Sequence, residues 1–432
     1  MDVLLHPAAP LRGTLTLPPD KALCQRAVLV AALADGVTEI CPWPAAEDCQ
    51  RALDVVRGLG VEATRLVDGM RIAGRGRAGL HQPSGPLACG ESGTTLRLSA
   101  GLLAGCAFRS ILAAGPSLSR RPMRRIIEPL TQMGAAIQGQ PMGDDVVPPL
   151  RIEGRAQLRA IRYTLPVASA QVKSAILLAA LAADGPTTVI EPAATRDHTE
   201  RLLRRCGVKV NQGAQVALTP GPVRAPGTVH LPGDFSSAAF FIAAACCVPG
   251  SELVLRDVGL NPTRTGLLTV LARMGARIDA QVREDGWEPR GVLTARAQPL
   301  AATQVSAGEM PGLIDELPLL MAVSACARGR TRFSGVGELR VKETDRVQSM
   351  AAGLRALGAR VNQPAPDVVE IEGGSLAGGR VDSAGDHRTA MSLAVAALTA
   401  DGPTTISGAE CVAKSYPGFF EQLRALTDGK NG

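Results

Sequence analysis

VAALADG, residues 30–36, is an Ala/Leu-rich stretch that closes on a glycine, and the chain returns to the same phrase five more times. The later copies are LSAGLLAG (98–105), LAALAADG (178–185), IAAACCVPG (242–250), MAVSACARG (321–329) and VAALTADG (395–402). Their closing glycines fall 65 to 80 residues apart. Each copy predicts a helix ending at its glycine. A second phrase, Leu/Met/Cys-Gly-Val/Ala, interleaves at Gly60, Gly134, Gly207, Gly275 and Gly358, each followed by a strand-like run such as 208–210 or 276–278. Glycine is the expected cap there, because it alone enters the left-handed region cheaply. β-branched runs at 187–190, 252–255 and 404–406 follow the first phrase. Each unit therefore reads βαβαββ. Ala-rich helices can look alike through composition alone, but two phrases alternating in step across the chain are what a true repeat requires.

Six units divide into two domains of three. The break falls near 231–234, where Pro222, Pro226 and Pro232 interrupt the chain. A length of 432 residues also exceeds one ordinary hydrophobic core. The expected fold class is α/β (α+β): a two-domain inside-out α/β barrel, with three parallel helices inside each domain and sheets outside. Helices that start at one end would turn their positive dipole ends toward the gap between domains, a place for anions.

Composition narrows the function. Aromatics are only 3% of the chain against 46% hydrophobic residues, so the cores are built from Ala, Val, Leu and Ile. The net charge of +6 is scattered singly rather than gathered in a dense Lys/Arg run. That pattern, with few aromatics to stack bases, speaks against nucleic acid and for small anions. Ten cysteines form no C-x-x-C pair and read as buried free thiols in a reducing compartment. Residues 1–10 lack the features of a signal peptide, and no uncharged apolar run reaches the ~18 residues of a spanning helix. The expected location is the cytoplasm, without membrane or nucleic-acid partners.

The predicted helix starts carry the chemistry. Unit one has PPDKALCQR (18–26), with Lys21 and Arg26 at the head of an apolar helix. Unit two has GESGTTLR (90–97), a Gly/Ser/Thr-rich start able to cradle a phosphate, then SRRP (119–122). Unit three has ASAQVKS (168–174) and TRDH (195–198). Unit five has Asp315, then RVKETDR (340–346); unit six has DHR (386–388), then AKSYP (413–417). Ser, Thr and Asp before a helix are also ordinary N-caps, and KETDR also reads as a solvated start with local ion pairs. Arginine in a first helical turn, however, opposes the dipole and calls for a compensating anion.

In this order, GTTLR (93–97), SAQVKS (169–174), RDHTE (196–200), RVKETDR and DHR resemble the 5-enolpyruvylshikimate-3-phosphate synthase family over essentially the full chain. A sister family acting on UDP-N-acetylglucosamine shares the six-unit fold but lacks the RVKETDR/DHR pair. The resemblance implies that 1–18 joins 231–432 as one domain, leaving 19–230 as the other. It implies transfer of the carboxyvinyl group of phosphoenolpyruvate to shikimate 3-phosphate, without metal or organic cofactor, by a monomer whose partners are these two substrates. Lys21, Arg121, Arg346, Arg388 and Lys414 would hold phosphoenolpyruvate, with Gly93, Thr94 and Gln171 lining its phosphate pocket. Arg26 would take the shikimate carboxylate. Ser169, Thr195 and Lys342, helped by Lys21, Gln171 and Asp315, would hold the rest of shikimate 3-phosphate. Asp315 and Glu343 would be the acid–base pair, with Lys21 beside them.

Four positions depart from the family pattern. Ala22 and Ala170 stand where serines are usual, His198 where some members have tyrosine, and Glu91-Ser92 where Asn or Asp is expected before the Gly-Thr pair. Glu91 and Ala22 motivate the hypothesis of altered sensitivity to glyphosate, which a normal inhibition constant in a competition assay would remove. Two other readings stay open here: a paralogue acting on another anionic alcohol, and a silent anion-binding homologue. A pure binder has no use for two carboxylates among anions.

Overall fold

A computed structural model describes residues 1–427 apart from Gln212 and Ala214. The chain divides into two compact units, Pro19–Leu231 and Met1–Pro18 with Pro232–Gly432.

Pro19–Leu231 contains helices α1 (Lys21–Leu33), α2 (Glu47–Gly58), α3 (Gly93–Ala104), α4 (Arg124–Gln132), α5 (Ala170–Ala180) and α6 (His198–Arg205). The odd-numbered helices are buried on every face. Residues 23–33 of α1 and 172–180 of α5 are buried without interruption. Such helices have no solvent side and form the core. The even-numbered ones are one-sided: α2 buries Cys49, Ala52, Leu53 and Val56 at helical spacing and leaves its other face wet.

Around these helices run three four-stranded sheets of one plan. In one, Leu87–Ala88 lies parallel to Arg109–Ala113, which pairs antiparallel with Asp145–Glu153, itself antiparallel to Ala136–Met142. The strands from Arg162–Thr164 to Gln215–Thr219 repeat that order.

The second unit carries α7 (Phe235–Cys247), α8 (Gly266–Arg273), α9 (Leu317–Cys326), α10 (Arg346–Ala356), α11 (His387–Ala397) and α12 (Phe419–Thr427). Helices α7, α9 and α11 are its buried core. Two strands beside the chain crossings are exchanged. Arg12–Thr16, which precedes α1, pairs with Glu252–Gly259 after α7. Gly227–His230, which precedes α7, pairs with Asp35–Cys41 after α1.

Two expectations need correction. The sixth sheet has three strands, not four: Gly379–Asp382, Thr404–Ser407 and the N-terminal Val3–Leu5. Val3–Leu5 covers an edge that would otherwise expose backbone, and it buries Val3 and Leu5 in doing so. The two glycine phrases also differ in kind. Gly60, Gly134, Gly207, Gly275 and Gly358 all have φ between 84° and 107°, as left-handed caps require. Gly36 instead lies inside the strand Asp35–Cys41, and α5 and α11 stop at Ala180 and Ala397, well short of Gly185 and Gly402. The ten cysteines are free thiols, but Cys41, Cys247 and Cys326 are half-buried rather than buried. Among the described residues no helix is long and apolar enough to cross a membrane.

Gly101 sets how closely α3 approaches α5. A Cβ there would lie 2.2 Å from the backbone oxygen of Ala175. Alanine gains up to about 1 kcal/mol of helix propensity over glycine, but backbone cannot swing aside as a side chain can. Gly101→Ala is expected to destabilise the chain by about 1–3 kcal/mol, read as a lower urea midpoint. An unchanged or raised midpoint would show that the two helices have slack.

Candidate active site

In Pro19–Leu231 the starts of α1, α3 and α5 are tied together. Asp20 caps α1, accepting from the amides of Ala22 (2.7 Å) and Leu23 (2.9 Å). Lys21 follows, half-buried, with Nζ 2.9 Å from Asp48 Oδ2. Ser92 caps α3 and its hydroxyl donates to Gln25 Oε1 at 3.3 Å. Gln171, at the start of α5, donates from Nε2 to Thr94 Oγ1 (2.9 Å) and accepts from Arg97 at 2.6 Å. Gly93 sits beneath two cations: a Cβ there would lie 2.9 Å from one guanidinium nitrogen of Arg97 and 3.1 Å from one of Arg121. The glycine thus keeps space open where two positive groups converge.

Deeper in this unit, Arg26 is buried and donates to Thr199 Oγ1 (3.0 Å) and the Ala22 carbonyl (2.9 Å). Ser169 caps α5, accepting from the Val172 amide at 3.4 Å. Thr195 donates to Glu191. Lys173 is buried between Glu191 (2.8 Å) and Glu200 (2.7 Å) and reaches the Thr195 carbonyl at 3.4 Å. Burial pushes the Glu200 carboxyl above its ordinary value, with Lys173 pulling the other way. Glu91 is occupied structurally: its carboxylate accepts from the amides of Ser117 (3.3 Å) and Leu118 (2.8 Å), fixing the turn before Arg121.

The second unit assembles a denser group. Asp386 caps α11 and takes the Arg346 guanidinium at 2.8 Å. Glu343 also pairs with Arg346. Although burial opposes charge on Asp386, Arg346 holds its carboxyl below the usual range. Asp315, just ahead of α9, lies 4.0 Å from Arg346 and 3.9 Å from Arg388. Arg388 donates to the Asp315 carbonyl at 2.6 Å. Lys342 is half-buried, and burial pushes it down to about 8 against the pull of Asp315 and Glu338. Lys414 ends the 3-10 helix Ala409–Lys414 and is exposed. No hydrogen bond or ion pair among the described residues joins it to this group.

One sequence expectation changes here. Lys21, Arg346 and Arg388 do occupy first helical turns, and Arg97 lies a turn after the start of α3 as read, but Arg26 is the sixth residue of α1. The charge of Arg346 is moreover balanced by the protein's own Asp386 and Glu343. Its position at a helix start therefore needs no external anion. Sequence reasoning gave no role to Asp48, Glu191, Glu200, Ser236, Arg264 or Glu316. A lysine inside the apolar run of α5 was the available signal for the Lys173 cluster. The Arg264–Glu316 pair spans 52 residues and leaves no local signal.

This architecture is that of a solved EPSP synthase from Acinetobacter baumannii, with a TM-score of 0.87 at 40% identity over 99% of this chain and 98% of that one. An enolpyruvyl transferase from Streptomyces tendae shares the fold at TM-score 0.78 but only 19% identity, over 98% of this chain and 97% of that one. Residues 5–423 match the family profile of EPSP synthase (3-phosphoshikimate 1-carboxyvinyltransferase), and the chain belongs to that family. A 3-phosphoshikimate 1-carboxyvinyltransferase of Methylococcus capsulatus is 47% identical over 423 residues, 97% of this chain and 96% of the relative.

Proposed function

We propose that the chain transfers the carboxyvinyl group of phosphoenolpyruvate to the 5-hydroxyl of shikimate 3-phosphate with release of phosphate, a step of the shikimate pathway. The observation that carries this reading is the grouping of Asp315, Glu343, Arg346 and Arg388 at the starts of α9, α10 and α11. It places two carboxylates beside two buried guanidiniums, which suits proton transfer next to a bound anion.

Chemically, the methylene carbon of phosphoenolpyruvate gains a proton while the acceptor hydroxyl attacks the adjacent carbon and loses its own. The tetrahedral intermediate then expels phosphate as the new methyl group gives a proton back. Asp315 and Glu343 are the proposed carriers of these protons. Arg346, Arg388, Arg121, Lys21 and Lys414 would hold the carboxylate and phosphate of the donor. Arg26, Ser169, Thr195, Gln171 and Lys342 would hold the acceptor. These roles rest on the family motifs and, for Asp315, Glu343, Arg346 and Arg388, on their grouping within one unit.

The direct test is phosphate release from phosphoenolpyruvate and shikimate 3-phosphate by the purified protein. Silence with these two substrates, and turnover of another phosphorylated alcohol, would overturn the assignment of the acceptor.

Lys342 adds a pH signature. With its value near 8, it is a cation below that pH and neutral above it. Attraction for an anionic acceptor is therefore present below pH 8 and lost as pH rises through it. kcat/KM for shikimate 3-phosphate is expected to fall above about pH 8, and Lys342→Met should flatten that limb. A limb unchanged in the variant would remove Lys342 from acceptor binding.

A further inference from the structure

Arg264 lies outside the motifs quoted above, in the segment just before α8, yet it is buried and packed over the Phe235 ring at 5.8 Å. It grips Glu316 with two nitrogens, at 2.6 Å and 3.0 Å. Glu316 is itself buried, one residue after Asp315, and it also accepts from Ser236 at 2.8 Å. Arg388 donates to the same Glu316 oxygen, Oε1, at 3.4 Å. Its shorter contacts go to neutral oxygens, the Asp315 carbonyl at 2.6 Å and Ser236 Oγ at 3.0 Å.

The geometry is uneven in a useful way. A carboxylate held by a two-pronged guanidinium is fixed in plane and direction. Glu316 is held chiefly by the Arg264 fork, and its hydrogen bond to Arg388 is the longest of its contacts. Arg388 is oriented mainly by neutral acceptors, and its two carboxylate neighbours stand farther off, Glu316 at 3.4 Å and Asp315 at 3.9 Å. The closer a carboxylate sits to a guanidinium, the more of its charge it offsets.

We propose that Arg264 is a positioning residue for the carboxyvinyl donor: it holds the Glu316 carboxylate back from a closer approach to Arg388, so that less of the Arg388 charge is offset when anionic phosphoenolpyruvate binds. This rests on the function proposed above. Loss of Arg264 frees Glu316 to move onto Arg388. Loss of the Glu316 charge leaves Arg388 in place on its neutral acceptors.

The two substitutions therefore differ in direction. Arg264→Gln is expected to raise KM for phosphoenolpyruvate about tenfold, with KM for shikimate 3-phosphate within about twofold. Glu316→Gln should lower the melting temperature without raising KM for phosphoenolpyruvate. Arg264→Gln with Glu316→Gln should return that KM to within about threefold of the unsubstituted chain. Arg264→Lys, which keeps the charge but loses the fork, should lie between and serves if Arg264→Gln does not fold. A purely structural pair would lower stability in both single variants and shift both KM values together; that result overturns the proposal, as does an unchanged KM for phosphoenolpyruvate in both Arg264 variants. Absence of turnover by the unsubstituted chain would instead remove the proposed function itself.

Discussion

Asp315→Asn is expected to lower kcat about a thousandfold while the chain stays folded. A positioned acid or base contributes about 10²–10⁴ to a rate, and Asp315 is the carboxylate set between two buried cations, 4.0 Å from Arg346 and 3.9 Å from Arg388. Asparagine keeps the shape and, above all, the backbone oxygen that holds Arg388 at 2.6 Å. The guanidinium therefore stays where it is, and what is lost is the ability to carry a proton. The loss should fall on kcat more than on KM, because binding contacts survive. Steady-state rates at saturating substrate are the measurement, with circular dichroism to verify folding. A variant that keeps kcat within about tenfold would exclude Asp315 as a principal proton carrier. Glu343 is more exposed and already bonded to Arg346, so Glu343→Gln should show a smaller loss together with a weaker hold on Arg346.

Lys173→Met should cost about 3–5 kcal/mol of stability, the usual penalty for removing one partner from a buried ion pair. Methionine matches lysine in length, so packing is largely kept and charge is what disappears. Lys173 is 1% exposed, and its two carboxylate partners are 7% and 2% exposed, so water cannot replace the missing ammonium. Glu191 and Glu200 would face each other's charge without a cation between them. The sign with pH follows from Glu200, whose carboxyl is already raised by burial and rises further without Lys173. A raised carboxyl stabilises the fold at low pH and loses that contribution as pH climbs through its folded value. The deficit should therefore be largest near neutrality and shrink as pH falls toward about 5. Urea midpoints across that range give the answer, and a midpoint equal to that of the unsubstituted chain at pH 7 would mean that the carboxylates find other partners. Thr195 is held by the same cluster, so a loosened acceptor site should accompany the loss.

The repeat was readable because helix burial and glycine capping are local demands. A left-handed cap after α2, α4, α6, α8 or α10 needs glycine whatever surrounds it, and Gly60, Gly134, Gly207, Gly275 and Gly358 mark those five ends faithfully. The first glycine phrase was a poorer guide. Gly105 does cap α3, but α1, α5, α7, α9 and α11 end two or more residues before their glycines, as α5 does at Ala180. The cationic starts at Lys21, Arg346 and Arg388 could be placed from order along the chain alone. Their partners could not: Asp48 lies 27 residues from Lys21, Asp386 40 from Arg346 and Glu316 72 from Arg388.

By itself, then, the sequence determined the alternation of helix and strand, the apolar character of the six central helices, and the motifs that carry the family resemblance. These follow from properties of neighbouring residues: side-chain polarity, propensity and the freedom of glycine. Only the tertiary structure decided which charges meet. It exchanged Arg12–Thr16 and Gly227–His230 between sheets, gave Glu91 to two backbone amides, and gave Glu316 to Arg264 more closely than to Arg388. An ion pair is a matter of distance in space and of burial, and both are set by how the chain closes on itself.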